Sequence, residues 1–260
     1  MGYDQRSLSI CLLCLGIRNG GSFQQPLLES WRCRMGSNIK LTAADGQQLG
    51  AYVAESTHPA LAAVVVVQEI FGVNRHIRSV VDDYASQGFW AVAPALFDRV
   101  EPNLELDYNP TDASRGMQIA NQIGMENALK DVAAAITHAC CTLRGKKVGM
   151  VGYCFGGTLA WLAATRLNPH AAVCYYGGQI AKYTAQVPRC HVMLHFGKED
   201  KHIPPSEIEK IQRAHPELPV FLYEAGHGFN CDQRKDYAPQ AASLARQRTL
   251  EFFRKHLVAG

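Results

Sequence analysis

The stretch KVGMVGYCFGG, residues 147–157, places a short apolar run directly before a cysteine that glycines flank. Gly152 lies two residues before Cys154, and Gly156 lies two residues after it. A nucleophile on a sharp strand-to-helix turn needs small residues at both positions, because neighbouring backbone passes close to them. The stretch therefore predicts a strand, a tight turn that presents the thiol of Cys154, and a helix that begins near Gly157.

From residue 38 onward, the chain alternates short apolar runs with longer amphipathic segments. This alternation is typical of a mostly parallel sheet with helices on both faces. The consecutive valines at 64–67 fit a central strand of such a sheet. We therefore predict the α/β class, with the functional loops at the carboxyl ends of the strands. The predicted strands are 39–42 and 50–54 (a hairpin), 61–68, 90–93, 147–151, 171–176, 191–196 and 220–224, and the predicted helices are 75–87, 114–143 in one or two pieces, 157–167, 205–214 and 238–257.

Composition limits the kinds of partner. The 260 residues are 47% apolar and 19% charged, which fits one globular domain and excludes intrinsic disorder. No apolar run is long enough to span a membrane, and 26 basic residues stand against 23 acidic ones without a cluster of lysines or arginines. We therefore expect a soluble monomer or weak homodimer that binds a small molecule, with no nucleic acid or membrane partner.

The cysteines indicate the compartment. There are nine of them, an odd number at irregular spacings, so we expect reduced thiols and a cytoplasmic protein. Residues 1–35 share no periodicity with the rest and are interpreted as an N-terminal extension, disordered or non-native, before one domain of residues 36–260. Four cysteines in or beside apolar stretches are predicted to be buried: Cys140, Cys141, Cys174 and Cys190.

A thiol nucleophile needs a base, and the base needs an orienting acid. In this class of fold they follow the nucleophile in the order acid, then histidine. Loop 197–204 supplies Asp200, with Glu199 as a competitor, and loop 225–229 supplies His227 between two glycines. A loop histidine is more often a solvated surface residue, and a glycine-flanked cysteine can be a buried thiol at a packing contact. Three loops that carry the three residue types in the required order favour a catalytic triad.

Glu69 lies two residues after the last of the four valines, at the end of a strand predicted to be buried, where a carboxylate is unusual. It could take the proton of the Cys154 thiol or hold the thiol in a resting orientation, although a solvated carboxylate at a strand end is an ordinary occurrence. The backbone N–H groups of Phe155 and Ile70 are the candidate donors to a developing oxyanion.

The motifs QEIFGVN (68–74), GYCFGG (152–157) and GHGF (226–229), together with Asp200, resemble the dienelactone hydrolase (carboxymethylenebutenolidase) family over roughly residues 38–258. The resemblance implies an α/β-hydrolase fold and a Cys-His-Asp triad that opens a lactone through an acyl-enzyme, without a cofactor. The roles it implies are Cys154 as nucleophile, His227 as base, Asp200 as its orienter, Glu69 as the activator of the thiol, and Phe155 and Ile70 as oxyanion donors.

The sequence departs from the family where the prototype members hold the substrate carboxylate with two arginines. Arg99 matches the first arginine and is the predicted substrate-binding residue, unless it is simply a solvated surface charge. Cys231 stands in place of the second arginine, and Gly228 stands where the family has a serine. Arg234 could substitute from the next turn, or the substrate could lack the carboxylate.

Three alternatives to a lactone hydrolase remain open. The chain could be an esterase or thioesterase of the same fold that acts on uncharged acyl substrates, or a binding protein without catalysis. A metal-dependent hydrolase could use His191, His195, Asp200 and His202, but the sequence has no His-Glu-x-x-His signature. We expect His195 to be a core residue, His202 a surface residue, and no metal to be bound.

Overall fold

The computed structural model describes residues 36–258, so the predicted extension 1–35 lies outside the described residues. Strands and helices alternate along most of this part of the chain. The strands are β1 (Ser37–Thr42), β2 (Gln48–Ala54), β3 (Ala63–Val67), β4 (Trp90–Pro94), β5 (Val148–Tyr153), β6 (Ala171–Tyr175), β7 (His191–Gly197) and β8 (Val220–Tyr223), and the helices are α1 (Arg75–Ser86), α2 (Pro110–Thr142), α3 (Phe155–Arg166), α4 (Pro205–Ala214) and α5 (Pro239–Phe253).

The eight strands form one sheet in the order β1-β2-β4-β3-β5-β6-β7-β8. β2 pairs antiparallel with both β1 and β4, whereas every pair from β4 to β8 is parallel. Every residue of the valine-rich β3 is buried, because the strand lies inside the sheet and both of its faces are covered. The predicted hairpin and the six predicted strands after it are all present.

The helices differ from the prediction mainly at their ends. α3 begins at Phe155, directly after the cysteine and not at residue 157. α2 begins at Pro110, where the side chain of Asn109 accepts a hydrogen bond from the backbone N–H of Asp112 and caps the helix. α2 is interrupted at Gly124, whose φ of 70° and ψ of 162° break the helical hydrogen-bond ladder. The sequence left open whether this segment is one helix or two, and the structure has one helical segment with a break at Gly124.

Two of the cysteine predictions are wrong. Cys140 and Cys141 are exposed, because they lie near the end of α2 on the face that points away from the sheet, whereas Cys174 is buried and Cys190 is partly buried. Over residues 36–258, none of the helices combines the length and the apolar composition that a membrane span requires.

Parallel strands direct their carboxyl ends to one edge of the sheet, so the loops after β3, β5, β6, β7 and β8 meet there. The fold is the predicted α/β-hydrolase fold, with a mostly parallel sheet between two layers of helices.

Candidate active site

Cys154 lies on a strained turn between β5 and α3. Its φ is 54° and its ψ is −112°, a conformation that residues other than glycine rarely adopt and that is concentrated at functional sites. A Cβ on Gly152 would come within 1.9 Å of the carbonyl oxygen of Gly156. A Cβ on Gly156 would come within 2.3 Å of the carbonyl oxygen of Val67. Gly152 therefore allows the turn to close on itself and Gly156 allows it to pack against the end of β3, in agreement with the predicted need for small residues at both positions.

The side chains of Cys154, His227 and Asp200 form a continuous hydrogen-bonded chain. His227 Nε2 lies 3.1 Å from Cys154 Sγ, and His227 Nδ1 lies 2.7 Å from Asp200 Oδ2. The other carboxylate oxygen of Asp200 accepts the backbone N–H groups of His202 and Ile203, at 2.8 and 3.2 Å. Asp200 is thus fixed by its own loop, and it fixes the ring of the histidine in turn. This is the arrangement of a nucleophile, a base and an orienting acid.

Charge favours the protonated form of His227. The ring is buried, which by itself would lower its pKa, but the charges of Cys154 and Asp200 outweigh burial and raise the pKa above its usual value. An imidazolium at this position stabilises a thiolate on Cys154.

The two predicted oxyanion donors, the backbone N–H groups of Phe155 and Ile70, belong to residues beside Cys154. Phe155 is the first residue of α3, so its N–H has no acceptor within the helix. Phe155 and Ile70 both line the cavity that contains Cys154. The positive end of the α3 dipole lies at the same point and favours negative charge there.

Glu69 is buried and paired with an arginine. Only 1% of Glu69 is exposed, and its Oε1 accepts a hydrogen bond from Arg234 at 3.1 Å. The guanidinium of Arg234 lies 5.8 Å from the centre of the Phe71 ring and also lines the cavity. Burial lowers the pKa of Arg234, but the nearby charge of Glu69 outweighs this effect and the pKa is raised. Glu69 is therefore not a solvated strand-end carboxylate.

One of the two departures from the family pattern in the histidine loop, Gly228, makes room for Arg234. Gly228 has a φ of 76°, and a Cβ at this position would lie 2.5 Å from the central guanidinium carbon of Arg234. The absence of a side chain at Gly228 thus provides the space that Arg234 occupies. Cys231, which stands where the family has its second arginine, is completely buried and does not line the cavity.

The cavity beside Cys154 has a volume of about 520 Å³. Arg234 and two histidines, His202 and His227, line an otherwise largely apolar space. His202 is exposed, as predicted, but its ring lies 5.0 Å from that of His227, so it belongs to the site. Sequence reasoning missed the opposite wall, because no chemical motif marks it. That wall is one face of α2, with Ala113, Met117, Ala120, Asn121, Gly124 and Met125.

The structure does not bring Arg99, the predicted substrate-binding residue, to this cavity. Its Nε and Nη2 donate to both carboxylate oxygens of the buried Asp131, at 2.6 and 2.8 Å. Nη1 and Nη2 also donate to Asp45, at 3.0 and 3.1 Å. Arg99 therefore joins α2 to the β1–β2 turn, and it is not a solvated surface charge.

The side chains considered as ligands of a metal-dependent hydrolase have other partners in the structure. His195 is buried and hydrogen-bonded to the hydroxyls of Tyr223 and Thr249, which confirms that it is a core residue. His191 stacks on His256 with 3.9 Å between ring centres. Asp200 is bonded to the triad histidine. Within residues 36–258, these side chains do not converge as metal ligands.

One other group within the same residues has ligand atoms that all lie within 4.8 Å of one another: His76, Cys231 and Asp232. Asp232 is exposed and already pairs with Nδ1 of His76 at 3.1 Å, so this contact is explained without a metal.

Comparison with known proteins identifies the family. The model of the dienelactone hydrolase family matches residues 49–257. A carboxymethylenebutenolidase of Pseudomonas putida is 35% identical over 222 residues, covering 82% of this chain and 94% of the relative. Carboxymethylenebutenolidase 1 of Cupriavidus pinatubonensis is 32% identical over 225 residues, covering 84% of this chain and 96% of the relative.

Solved structures give the same result. A Klebsiella pneumoniae protein, provisionally described as a dienelactone hydrolase, is 28% identical with a TM-score of 0.71, and the match covers 84% of this chain and 98% of that chain. The dienelactone hydrolase-like promiscuous phosphotriesterase from metagenomic libraries shares the fold, with a TM-score of 0.72 at 18% identity over 86% of this chain and 99% of that chain. The family match, the identity to curated relatives and the shared fold together establish that the chain belongs to the dienelactone hydrolase family.

Proposed function

We propose that this protein hydrolyses a lactone or ester through a covalent thioester on Cys154. The observation that carries the proposal is the contact of His227 with both the thiol, at 3.1 Å, and the carboxylate of Asp200, at 2.7 Å. Family membership supports the substrate class, because carboxymethylenebutenolidases are among the relatives.

The reaction follows from the positions of these groups. Sγ of Cys154 forms a bond to the carbonyl carbon while the carbonyl oxygen becomes an oxyanion between the N–H groups of Phe155 and Ile70. The carbon–oxygen bond of the lactone or ester then breaks, and the imidazolium of His227 gives its proton to the leaving oxygen. Water, activated by the now neutral imidazole, attacks the thioester, and Cys154 leaves as the thiolate. No cofactor enters these steps.

Arg234 is the group in the cavity that suits an anionic substrate. A carboxylate bound by Arg234 would compete with Glu69 for the guanidinium, because one oxygen of Glu69 is bonded to it at 3.1 Å. A displaced Glu69 would become available as a second acceptor for the thiol proton. Arg234 thereby takes the role that the sequence pattern assigned to Arg99, and the preferred substrate is a lactone or ester with a carboxylate.

The first test is a steady-state screen of p-nitrophenyl acetate, a dienelactone and neutral lactones with the wild type and with Cys154→Ala. Cys140→Ala is the matched control, because Cys140 is exposed and lies outside the cavity. We expect turnover to be lost in Cys154→Ala and kept in the control, with mass spectrometry showing iodoacetamide on Cys154. Undiminished hydrolysis by a clean Cys154→Ala preparation would refute the proposal.

The second test separates the two arginines. Arg234→Met should raise KM for the carboxylate-bearing lactone far more than for p-nitrophenyl acetate, because it removes the cation of the cavity. Arg99→Met should leave this ratio unchanged. Equal effects of Arg234→Met on both substrates would show that the substrate carboxylate is not recognised there.

A further inference from the structure

Two polar groups beside the triad are buried without a hydrogen-bond partner. They are the second carboxylate oxygen of Glu69, Oε2, and the hydroxyl of Tyr176. Tyr176 is completely buried and Glu69 is 1% exposed. Buried polar groups nearly always have partners, so each of these two needs an explanation. A phenol can donate a hydrogen bond and a carboxylate oxygen can accept one, so the two groups are chemically complementary.

The backbone places the ring of Tyr176 behind the triad. Tyr176 follows β6 with a φ of 36°, which is rare for an aromatic residue and persists only where its surroundings impose it. Its N–H donates to the carbonyl oxygen of His195 at 2.8 Å, which fixes the turn to β7. The ring centre lies 5.1 Å from that of His227 and 5.4 Å from that of Phe229. The hydroxyl therefore projects into the protein behind the catalytic histidine and does not line the cavity.

The groups around this hydroxyl keep it neutral. Burial raises the pKa of Tyr176 well above its usual value, and the charges of Glu69 and Cys231 raise it further, against the lowering effect of Arg234. The hydroxyl is therefore a donor throughout the working pH range. Another tyrosine, Tyr108, also faces Glu69, but its hydroxyl lies 3.5 Å from the side-chain oxygen of Asn74. Of these two tyrosines, Tyr176 is the one with an uncommitted hydroxyl.

We propose that Tyr176 is a positioning residue for Glu69, and that its hydroxyl is linked to Oε2 through one buried water. The inference rests on the proposed function only in that Glu69 acts on the Cys154 thiol. Arg234 holds one oxygen of the carboxylate, and Tyr176 holds the other. A hydrogen bond to the ionised carboxylate favours the charged form. Tyr176 thus keeps Glu69 oriented, even when a substrate occupies Arg234. The other titratable groups that face this pair are Cys154, His227, Tyr108 and Cys231.

The test is the pH profile of Cys154 alkylation by iodoacetamide, which requires no substrate. When a carboxylate near the thiol ionises, the rate of alkylation changes, and the pH profile shows an inflection. The inflection that Glu69→Gln abolishes is assigned to Glu69. In Tyr176→Phe, which keeps the ring, we expect this inflection to move about one unit to higher pH, since a tenfold change in an equilibrium corresponds to one unit. The double variant should match Glu69→Gln alone.

Tyr84→Phe is the matched control, because Tyr84 is also a fully buried tyrosine but packs against Phe89 and Phe253, away from the cavity. Its profile should follow the wild type. The inference is overturned if the inflection stays in place in Tyr176→Phe or moves equally in Tyr84→Phe. It is also overturned if Glu69→Gln abolishes no inflection of the wild-type profile. If the shift occurs but no ester or lactone is hydrolysed, the proposed function fails and the role of Tyr176 stands.

Discussion

Replacement of Arg99 by Met tests whether this arginine supports the fold or the substrate. The guanidinium makes two hydrogen bonds to Asp131, which has no exposed side-chain surface, while the Arg99 side chain is itself only 11% exposed. Removing one partner of a buried ion pair leaves an uncompensated charge and costs about 3–5 kcal/mol. For a protein of this size, such a loss lowers Tm by about 6–20 °C.

The assay is urea unfolding of Arg99→Met, Asp131→Asn and the double variant. The double variant should be more stable than the sum of the two single losses predicts, by at least about 1.5 kcal/mol. The reason is that asparagine is neutral, so removing Arg99 no longer leaves a buried charge without a partner. A loss below about 1 kcal/mol in Arg99→Met, without such coupling, would refute the structural role.

Acidity provides an independent check on the same variant. Burial raises the pKa of Asp131 above its usual value, and Arg99 opposes this effect. Without Arg99, the native state binds a proton at Asp131 more readily than the unfolded state does, so the stability of the variant should fall as the pH rises. The difference between the wild type and Arg99→Met should therefore shrink as the pH is lowered from about 8 to about 5. A difference that grows on acidification would contradict this assignment.

Three further predictions concern the turn and the histidine loop. Gly156→Ala should destabilise the protein by at least about 2 kcal/mol in urea unfolding, because its Cβ would lie 2.3 and 2.6 Å from two carbonyl oxygens that cannot move freely; an unchanged midpoint would show that the turn can relax. Gly228→Ala should lower the free energy of unfolding by only about 1–2 kcal/mol, because the backbone at this position is left-handed. The added Cβ should also displace Arg234 and lower selectivity for carboxylate-bearing substrates. Unaltered selectivity would argue against the contact between position 228 and Arg234. Because the pKa of His227 is raised, the rate of Cys154 alkylation should vary little between about pH 6 and 8. A tenfold fall in rate for each unit of decreasing pH, as for an ordinary thiol, would show that the thiolate of Cys154 and the imidazolium of His227 do not form an ion pair.

Local sequence signals were sufficient for the strands and for the loops of the triad. A continuous valine run and the glycines around Cys154 and His227 each report on backbone within a few residues, and the structure has a strand or a turn at each of these places. Loop 197–204 offers two acids, Asp200 and its competitor Glu199, and Asp200 is the one that bonds to the histidine.

Long-range pairing was not accessible in the same way. Arg99 and Asp131 are separated by 32 positions, and no local pattern marks them as partners. Arg99 was therefore matched to a family role, although a buried carboxylate already holds it. The exposure of Cys140 depends on which face of α2 meets the sheet, and the interruption at Gly124 changes that face within the helix. Tyr176 carries no motif, and its position follows from a backbone turn that only the folded chain reveals.

The break at Gly124 lies within the stretch of α2 that forms one wall of the cavity. The side chains of the proposed triad come from loops at the edge of the sheet, whereas this wall comes from α2 residues on both sides of the break. Met117 and Asn121 line the cavity and take no part in the hydrogen bonds of His227. We therefore expect replacements at these two positions to alter which acyl groups fit, while the proposed reaction stays the same.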